Sequence, residues 1–248
     1  MILITLDYQT ICILRELTNN LFIMKKDFET KFVGWAFIFA AIMLWGGWAF
    51  SPHHLGEYIK ADDFSHVGES VWYWIWMYRI HIFGWVTLSI ALFSFVSIAA
   101  KKPYRVVVLP GAGMMIIGSM TLAIAAAFYY NFGAWGVGQT MDKTGVEVQT
   151  FMDSILPTNQ YVTCFNRFGR IFSGVGSVLL GFALIKWNIV HKAIGYLTFL
   201  MGFGVVLLIL AIPDNFELYK PFFHIKVIWM LAMGTWLLVK GINLPEEN

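Results

Sequence analysis

Six apolar runs take up most of this chain, and each is long enough, or nearly long enough, to cross a bilayer. A helix needs roughly 20 apolar residues to span the hydrocarbon core. The runs are Phe32–Phe50, Val71–Ala100, Val106–Tyr130, Phe168–Trp187, Ala193–Ile212 and Phe222–Ile242. With 58% hydrophobic and 13% charged residues, the chain lacks the polar helix faces that a soluble protein turns to water. The sequence therefore predicts an all-α polytopic membrane protein, a six-transmembrane-helix bundle.

The connections between the runs alternate between basic and acidic. One set carries Lys25, Lys26, Lys31, Lys101, Lys102, Arg105, Lys186, Lys192 and Lys240. The alternate set is acidic and includes the longest connection, residues 131–167. Since basic loops stay on the cytoplasmic side, we expect both termini to be cytoplasmic and the protein to lie in the cell (inner) membrane. Residues 32–242 form the transmembrane domain and 243–248 a cytoplasmic tail. A net charge of +2 does not favour nucleic acid as a partner.

The segment before the first run, residues 1–31, has a different character. Met1–Ile23 is apolar but carries three charged residues, so it is a poor spanning helix, and it lacks the basic start of a signal peptide. Met24 is followed by two lysines, which is typical of the start of a membrane protein. We expect either an interfacial segment or a natural start downstream of residue 23.

Two histidines lie at a similar depth on different runs. Counting about 20 residues back from the basic end of the second run places the hydrocarbon boundary near His81. His224 lies near the start of the sixth run, and Trp85 and Trp229 follow the two histidines by about one turn. Imidazoles on facing helices can ligate a b-type haem. The pair predicts a cofactor site for one haem, although each histidine could instead bond a neighbour or the interface.

Helical geometry separates these histidines from the cations beside them. Arg79 and His81 are two residues apart, about 200° around a helix axis, and the same holds for His224 and Lys226. The two members of each pair therefore cannot point into one pocket. If the histidines face inward, we expect Arg79 and Lys226 to face the headgroups.

The fourth run carries one stripe at helical spacing. Its members are Arg167, Arg170, Gly174, Ser177 and Gly181, and the row Ser173-Ser177-Gly181 has the spacing of small residues at close helix contacts. As a functional site, Arg167, Arg170 and Ser177 would bind an anion, a carboxylate or a lipid phosphate. As a structural feature, the stripe would be a tight helix contact. In that case the row Ser119-Ala123-Ala127 of the third run is its expected partner.

The first acidic connection contains three histidines, His53, His54 and His66, among four carboxylates. Imidazole and carboxylate groups are ligands for copper or zinc, so these histidines are candidate metal ligands. Their spacing matches no established signature, and an ordinary solvated loop has the same composition. The chain carries no hydrolase elbow, phosphate-binding loop, dinucleotide-binding turn or HExxH motif, so it offers no catalytic apparatus of these kinds.

The end of the chain carries one resemblance. Trp187–Asn243, with its basic turn Lys192–Tyr196 and its ending Ile228–Asn243, resembles the close of an uncharacterised family of bacterial multi-span integral membrane proteins. That resemblance covers under a quarter of the chain. It implies a bundle of six or seven helices and no assigned activity.

Three functions follow from these observations. The leading hypothesis is an accessory or ligand-binding subunit of a membrane complex, with other membrane subunits and the lipid bilayer as partners and a site at the outer face. The second is an electron-transfer subunit holding haem b between His81 and His224. The third is a small-solute transporter, which ranks lowest because no acidic residue lies inside any run.

Overall fold

Helices account for nearly all of the residues that the computed structural model describes, which are 28–46, 67–99, 104–136, 145–212 and 216–242. The six long helices are α1 (Phe28–Gly46), α2 (Val71–Ala99), α3 (Arg105–Phe128), α4 (Gly145–Trp187), α5 (Lys192–Ala211) and α6 (Lys220–Val239). Within these ranges there is no strand, and all six helices are long and apolar enough to cross a membrane. For these residues the prediction of an all-helical chain with six helices of membrane-spanning length and apolarity is confirmed.

Glycines set the closest helix contacts in the bundle. Four pairs are spaced by seven residues, two helical turns, and so share a face: Gly111 and Gly118, Gly169 and Gly176, Gly174 and Gly181, Gly195 and Gly202. A Cβ at Gly176 would lie 2.5 Å from the carbonyl oxygen of Gly111, and one at Gly202 would lie 2.5 Å from that of Gly174. Backbones can approach this closely only where no side chain intervenes. Helix α4 is therefore clamped between α3 on one face and α5 on another.

These contacts correct the expected partner of the small-residue stripe on the fourth run. Gly174, Ser177 and Gly181 pack against α5, because the Cβ atoms missing from Gly174 and Gly181 would meet residues of that helix. Helix α3 packs on α4 at Ser173 of the predicted row, where a Cβ at Gly118 would lie 2.7 Å from the Ser173 backbone nitrogen; of the row Ser119-Ala123-Ala127, the first two residues are buried and Ala127 is exposed. The expected close contact exists, and α5 is its partner.

Helix α6 joins the bundle differently. It approaches α1 closely at Gly234, where a Cβ would lie 2.6 Å from the carbonyl oxygen of Gly34. Towards α2 and α4, in contrast, it is connected by long side chains, including an indole, a phenyl ring and a lysine. The contacts along each pair of helices show that α2, α4 and α6 run parallel and begin at the same end of the bundle. We call this end the outer end, following the charge prediction.

Helix α4 is much longer than the sequence predicts. It has 43 residues, about 65 Å, and begins at Gly145, within the connection expected to be a loop. Its first half packs through Ile155 and Val162, and Val162 meets the π-helix Tyr129–Trp135 that extends α3. Together with the start of α2, these parts form what we call the outer cap, residues 67–80, 129–136 and 145–167. The sequence did not predict this half of the helix because it contains no continuous apolar run.

Cys164 offers a direct test of the predicted orientation. It is exposed on α4, about 35 Å from Trp187, which is beyond the roughly 30 Å hydrocarbon core if that core begins near Trp187. In a Cys12→Ser background, we expect a membrane-impermeant maleimide to label Cys164 in intact cells. Labelling only after lysis would place this end of the bundle in the cytoplasm and reverse the orientation.

Candidate ligand site at the junction of three helices

A buried lysine lies where α2, α4 and α6 meet. Lys226 is 8% exposed, and its amine donates a hydrogen bond to the Ser173 hydroxyl of α4, with Nζ 2.7 Å from Oγ. The same amine lies 4.8 Å from the centroid of the Trp85 ring of α2, which is a cation–π contact. Among the residues that the structure describes, no carboxylate lies within ion-pair distance of this amine. The lysine thus has a neutral oxygen and an aromatic face as partners.

The depth of the site can be measured along each of the three helices, and the three values agree. Trp85, Ser173 and Lys226 each lie about 20 Å along the axis from the inner end of their own helix. With a hydrocarbon core of about 30 Å that begins at those inner ends, the site lies roughly 10 Å inside the outer boundary. Its position is therefore within the bundle and within the expected hydrocarbon layer.

Aromatic residues close the site above and below. One turn outward, the buried imidazole of His81 stacks on Phe223, with ring centroids 6.0 Å apart and planes at 18°. One turn inward, the fully buried Trp229 packs edge-on against Phe37 of α1, with centroids 5.6 Å apart. Phe223 also meets the Trp85 ring edge-on at 6.4 Å. The lysine is thus enclosed between two aromatic layers.

A second cation lies further outward on the same side of the junction. Arg170 is on α4, one turn outward from Ser173, and its guanidinium carbon is 4.3 Å from the ring centroid of the buried Tyr219. The Tyr219 hydroxyl in turn donates to the Ile212 carbonyl oxygen at 3.3 Å. Arg170 therefore places a second cationic side chain in the outer half of this junction. The sequence of the spans that meet there, Val71–Ala99, 168–187 and Lys220–Val239, contains no Asp or Glu.

The structure reverses the expected directions of His224 and Lys226. His224 is exposed, whereas Lys226 is buried, so the sixth helix turns the lysine and not the histidine into the bundle. The premise that these two residues point to different sides was right, and the assignment of sides was wrong. The hydrophobic pattern of the sequence could not show which face of α6 is buried, because the face that carries His224 is also apolar.

The haem pair gains no support from this geometry. His81 is buried as expected, but its ring is stacked on Phe223, and His224 is exposed beside the same phenyl ring at a centroid distance of 5.8 Å. Two axial ligands must face each other across one pocket. The described arrangement does not provide this, and haem binding stays a prediction without a structural basis.

The residues of the predicted anion site on α4 do not share one site in the structure. Ser177 is 1% exposed, donates to the Ser173 carbonyl oxygen at 2.7 Å, and lies against Gly202 of α5, so it serves the helix contact. Arg167 and Arg170 are both half-buried, and Arg170 lies over Tyr219 near the lysine. Of the three predicted ligand-binding residues, Arg170 is thus the one near the junction. Ser173, the hydrogen-bond partner of Lys226, was part of the predicted small-residue row only.

Arg79 is in the outer cap and not directed simply towards headgroups. Its Nε and Nη2 atoms donate to the Tyr130 hydroxyl oxygen at 3.0 and 2.8 Å, and its guanidinium carbon lies 5.0 Å from the Trp76 ring centroid. The adjacent Tyr129 stacks on Tyr78 of α2, with ring centroids 6.0 Å apart, and its hydroxyl accepts from Asn166 of α4 at 3.2 Å. Arg79 thus connects α2 to the extension of α3 above the junction.

The predicted metal ligands His53, His54 and His66 lie outside the described residues, so their site stays a prediction. Within the described ranges, no group of three or more His, Cys, Asp or Glu side chains could hold a metal ion.

Comparisons with protein families, with curated proteins and with solved structures give no match for this chain. The resemblance of its last part to a bacterial membrane protein family therefore stays a prediction, and function has to be inferred from the site.

Proposed function

We propose that the chain is a multi-pass protein of the cell (inner) membrane that binds a small ligand at the junction of α2, α4 and α6, without a catalytic apparatus of its own. One observation carries this proposal: Lys226 is buried in a membrane helix without a carboxylate partner among the described residues. An ionisable residue at such a depth is costly, and it is normally kept for a function.

A cationic side chain inside a membrane protein commonly serves in a proton relay, in a voltage sensor or in ligand binding. A proton relay needs a chain of acidic or histidine side chains, whereas the spans that form this junction contain no Asp or Glu and bury one histidine, His81, one turn outward from the lysine. A voltage sensor needs a row of arginines along one helix, whereas α6 carries none. Binding of a ligand that compensates the charge is the use that remains.

The enclosure of the lysine favours a small ligand over a partner subunit as the source of the compensating charge. Trp85, Ser173 and Phe223 surround the site from three helices, and Lys226 is only 8% exposed. A transmembrane helix of another protein would have to approach from the lipid, and it could not reach this amine. Assembly with other membrane subunits would therefore use other surfaces and would serve the expected accessory role.

Native mass spectrometry of the protein ejected from membrane vesicles tests the proposal. We expect wild-type protein to carry a small-molecule adduct that the Lys226→Met variant lacks. Lys186→Met is the matched control, because it removes the same charge from an exposed position at the opposite end of the bundle, and it should keep the adduct. Wild-type protein without any adduct, or an adduct retained in Lys226→Met, would contradict ligand binding at this site.

A further inference from the structure

Resting on the proposed function, we infer that the ligand is an anionic amphiphile with a single alkyl chain, whose carboxylate or phosphate headgroup pairs with Lys226. The buried amine and the Ser173 hydroxyl 2.7 Å from it provide donors for the oxygen atoms of such a headgroup. Charge-assisted hydrogen bonds to carboxylate or phosphate oxygens are the strongest that these side chains form.

The charge of the ligand follows from the charge of the site. Burial away from water disfavours the charged form of a lone amine, and an anionic ligand would keep the amine protonated by pairing with it, whereas a neutral ligand such as an alcohol or a quinone could only hydrogen-bond to it. A buried charge is tolerated when it is paired and strongly disfavoured when it is alone. Since no carboxylate of the described chain fills this role, an anion is the complementary ligand.

The alkyl chain follows from the depth and the surroundings of the site. The amine lies roughly 10 Å inside the predicted hydrocarbon boundary, so a free hydrated anion would lose its water without gaining apolar contacts. Around the amine lie the Trp85 indole, the Phe223 ring and, one turn deeper, Trp229. These side chains make the surroundings of the amine apolar, and burial of an alkyl chain among them would favour binding.

The junction is also the part of the bundle that can adapt to a chain. Helices α3, α4 and α5 are in backbone contact at their glycines, and a ligand cannot enter between them without separating backbones. Helix α6 meets α2 and α4 through the side chains of Lys226 and Phe223, which can change rotamer. A single chain would therefore disturb fewer helix contacts at this junction than a two-chain lipid would.

Binding of defined amphiphiles to the full chain in phosphatidylcholine nanodiscs tests the inference. We expect oleate to raise the Tm of wild-type protein, and neither oleyl alcohol, which lacks the charge, nor acetate, which lacks the chain, to do so at equal concentration. Lys226→Met should weaken oleate binding at least about tenfold, the effect of losing one charge-assisted hydrogen bond. Ser173→Ala should weaken it less, and Lys186→Met should leave it unchanged.

Additional ligands show which headgroup chemistry the site recognises. Dodecyl phosphate in place of oleate distinguishes phosphate from carboxylate recognition, and a Lys226-dependent rise in Tm with either one supports the inference. Equal stabilisation by oleyl alcohol, or binding of acetate or inorganic phosphate alone, would overturn it while leaving a ligand site at Lys226 in place. Oleate binding that is the same in wild-type and Lys226→Met protein would overturn it too. The adduct experiment decides the proposed function separately, because it needs no assumption about the ligand's chemistry.

Discussion

Replacing Lys226 with methionine is expected to stabilise the ligand-free protein by about 2 kcal/mol, although it should abolish binding. Methionine has a similar length and no charge, so it fills the same space between Trp85 and Phe223 without the cost of a buried cation. The Ser173 hydroxyl loses its donor, but it can rotate and donate to a backbone carbonyl one turn earlier in its own helix, as Ser177 does. A residue that lowers stability and is kept for its role is typical of a functional site.

The measurement is unfolding by SDS titration of ligand-depleted protein, since a bound ligand would stabilise wild type and hide the gain. Lys186→Met, at an exposed position, should change the free energy of unfolding by less than about 0.5 kcal/mol. If Lys226→Met instead lowered it by more than about 1 kcal/mol, the lysine would be paired with a group of the chain itself, because breaking a buried pair is destabilising. The ligand proposal would then fail.

Valine at Gly176 is expected to destabilise the bundle by about 3 kcal/mol, the largest structural effect that we predict. A Cβ there would meet the Gly111 carbonyl oxygen at 2.5 Å and the backbone nitrogen of Met115 at 2.7 Å. Neither atom can move without moving α3, so the two helices must separate and lose contact along the whole interface.

Gly113 provides a control for this substitution. It also lies inside an apolar helix, but a Cβ at Gly113 has no atom within 4 Å among its described surroundings. Gly113→Val changes helix propensity in the same way and leaves the packing intact, so its free energy of unfolding should stay within about 1 kcal/mol of wild type. Equal loss of stability in the two variants would show that valine acts through propensity and that the α3–α4 contact is not tight.

The candidate site shows where a membrane sequence stops being informative. Because α6 is apolar on every side, hydrophobic periodicity could not say whether His224 or Lys226 faces inward. The buried positions Lys226, Met230, Met233 and Leu237 lie on one face, but the exposed positions opposite them include Ile228 and Val239. The sequence therefore placed the two polar residues on different faces, but only packing showed that Lys226, expected to face the headgroups, turns into the bundle.

The outer half of α4 was missed for the opposite reason. Residues 145–167 are too polar to be a membrane run, and Pro157 lies within them, so a loop was the expected structure. The segment is helical because Ile155 and Val162 are buried, with Val162 packed against the aromatic extension of α3. Glycines at seven-residue spacing are the sequence feature that indicates the close α3–α4 and α4–α5 contacts.

The sequence by itself determined that the chain is helical and that six segments are long and apolar enough to cross a membrane. These properties depend on local composition and on the length that a bilayer demands. The tertiary structure alone decided which face of each helix is buried, that α5 and not α3 meets the Ser177 stripe, and that Lys226 lies with Ser173 and Trp85. In a bilayer both the lipid and the protein interior are apolar. The buried face of a helix is therefore determined by how well the helices pack, and the hydrophobicity of the sequence does not reveal it.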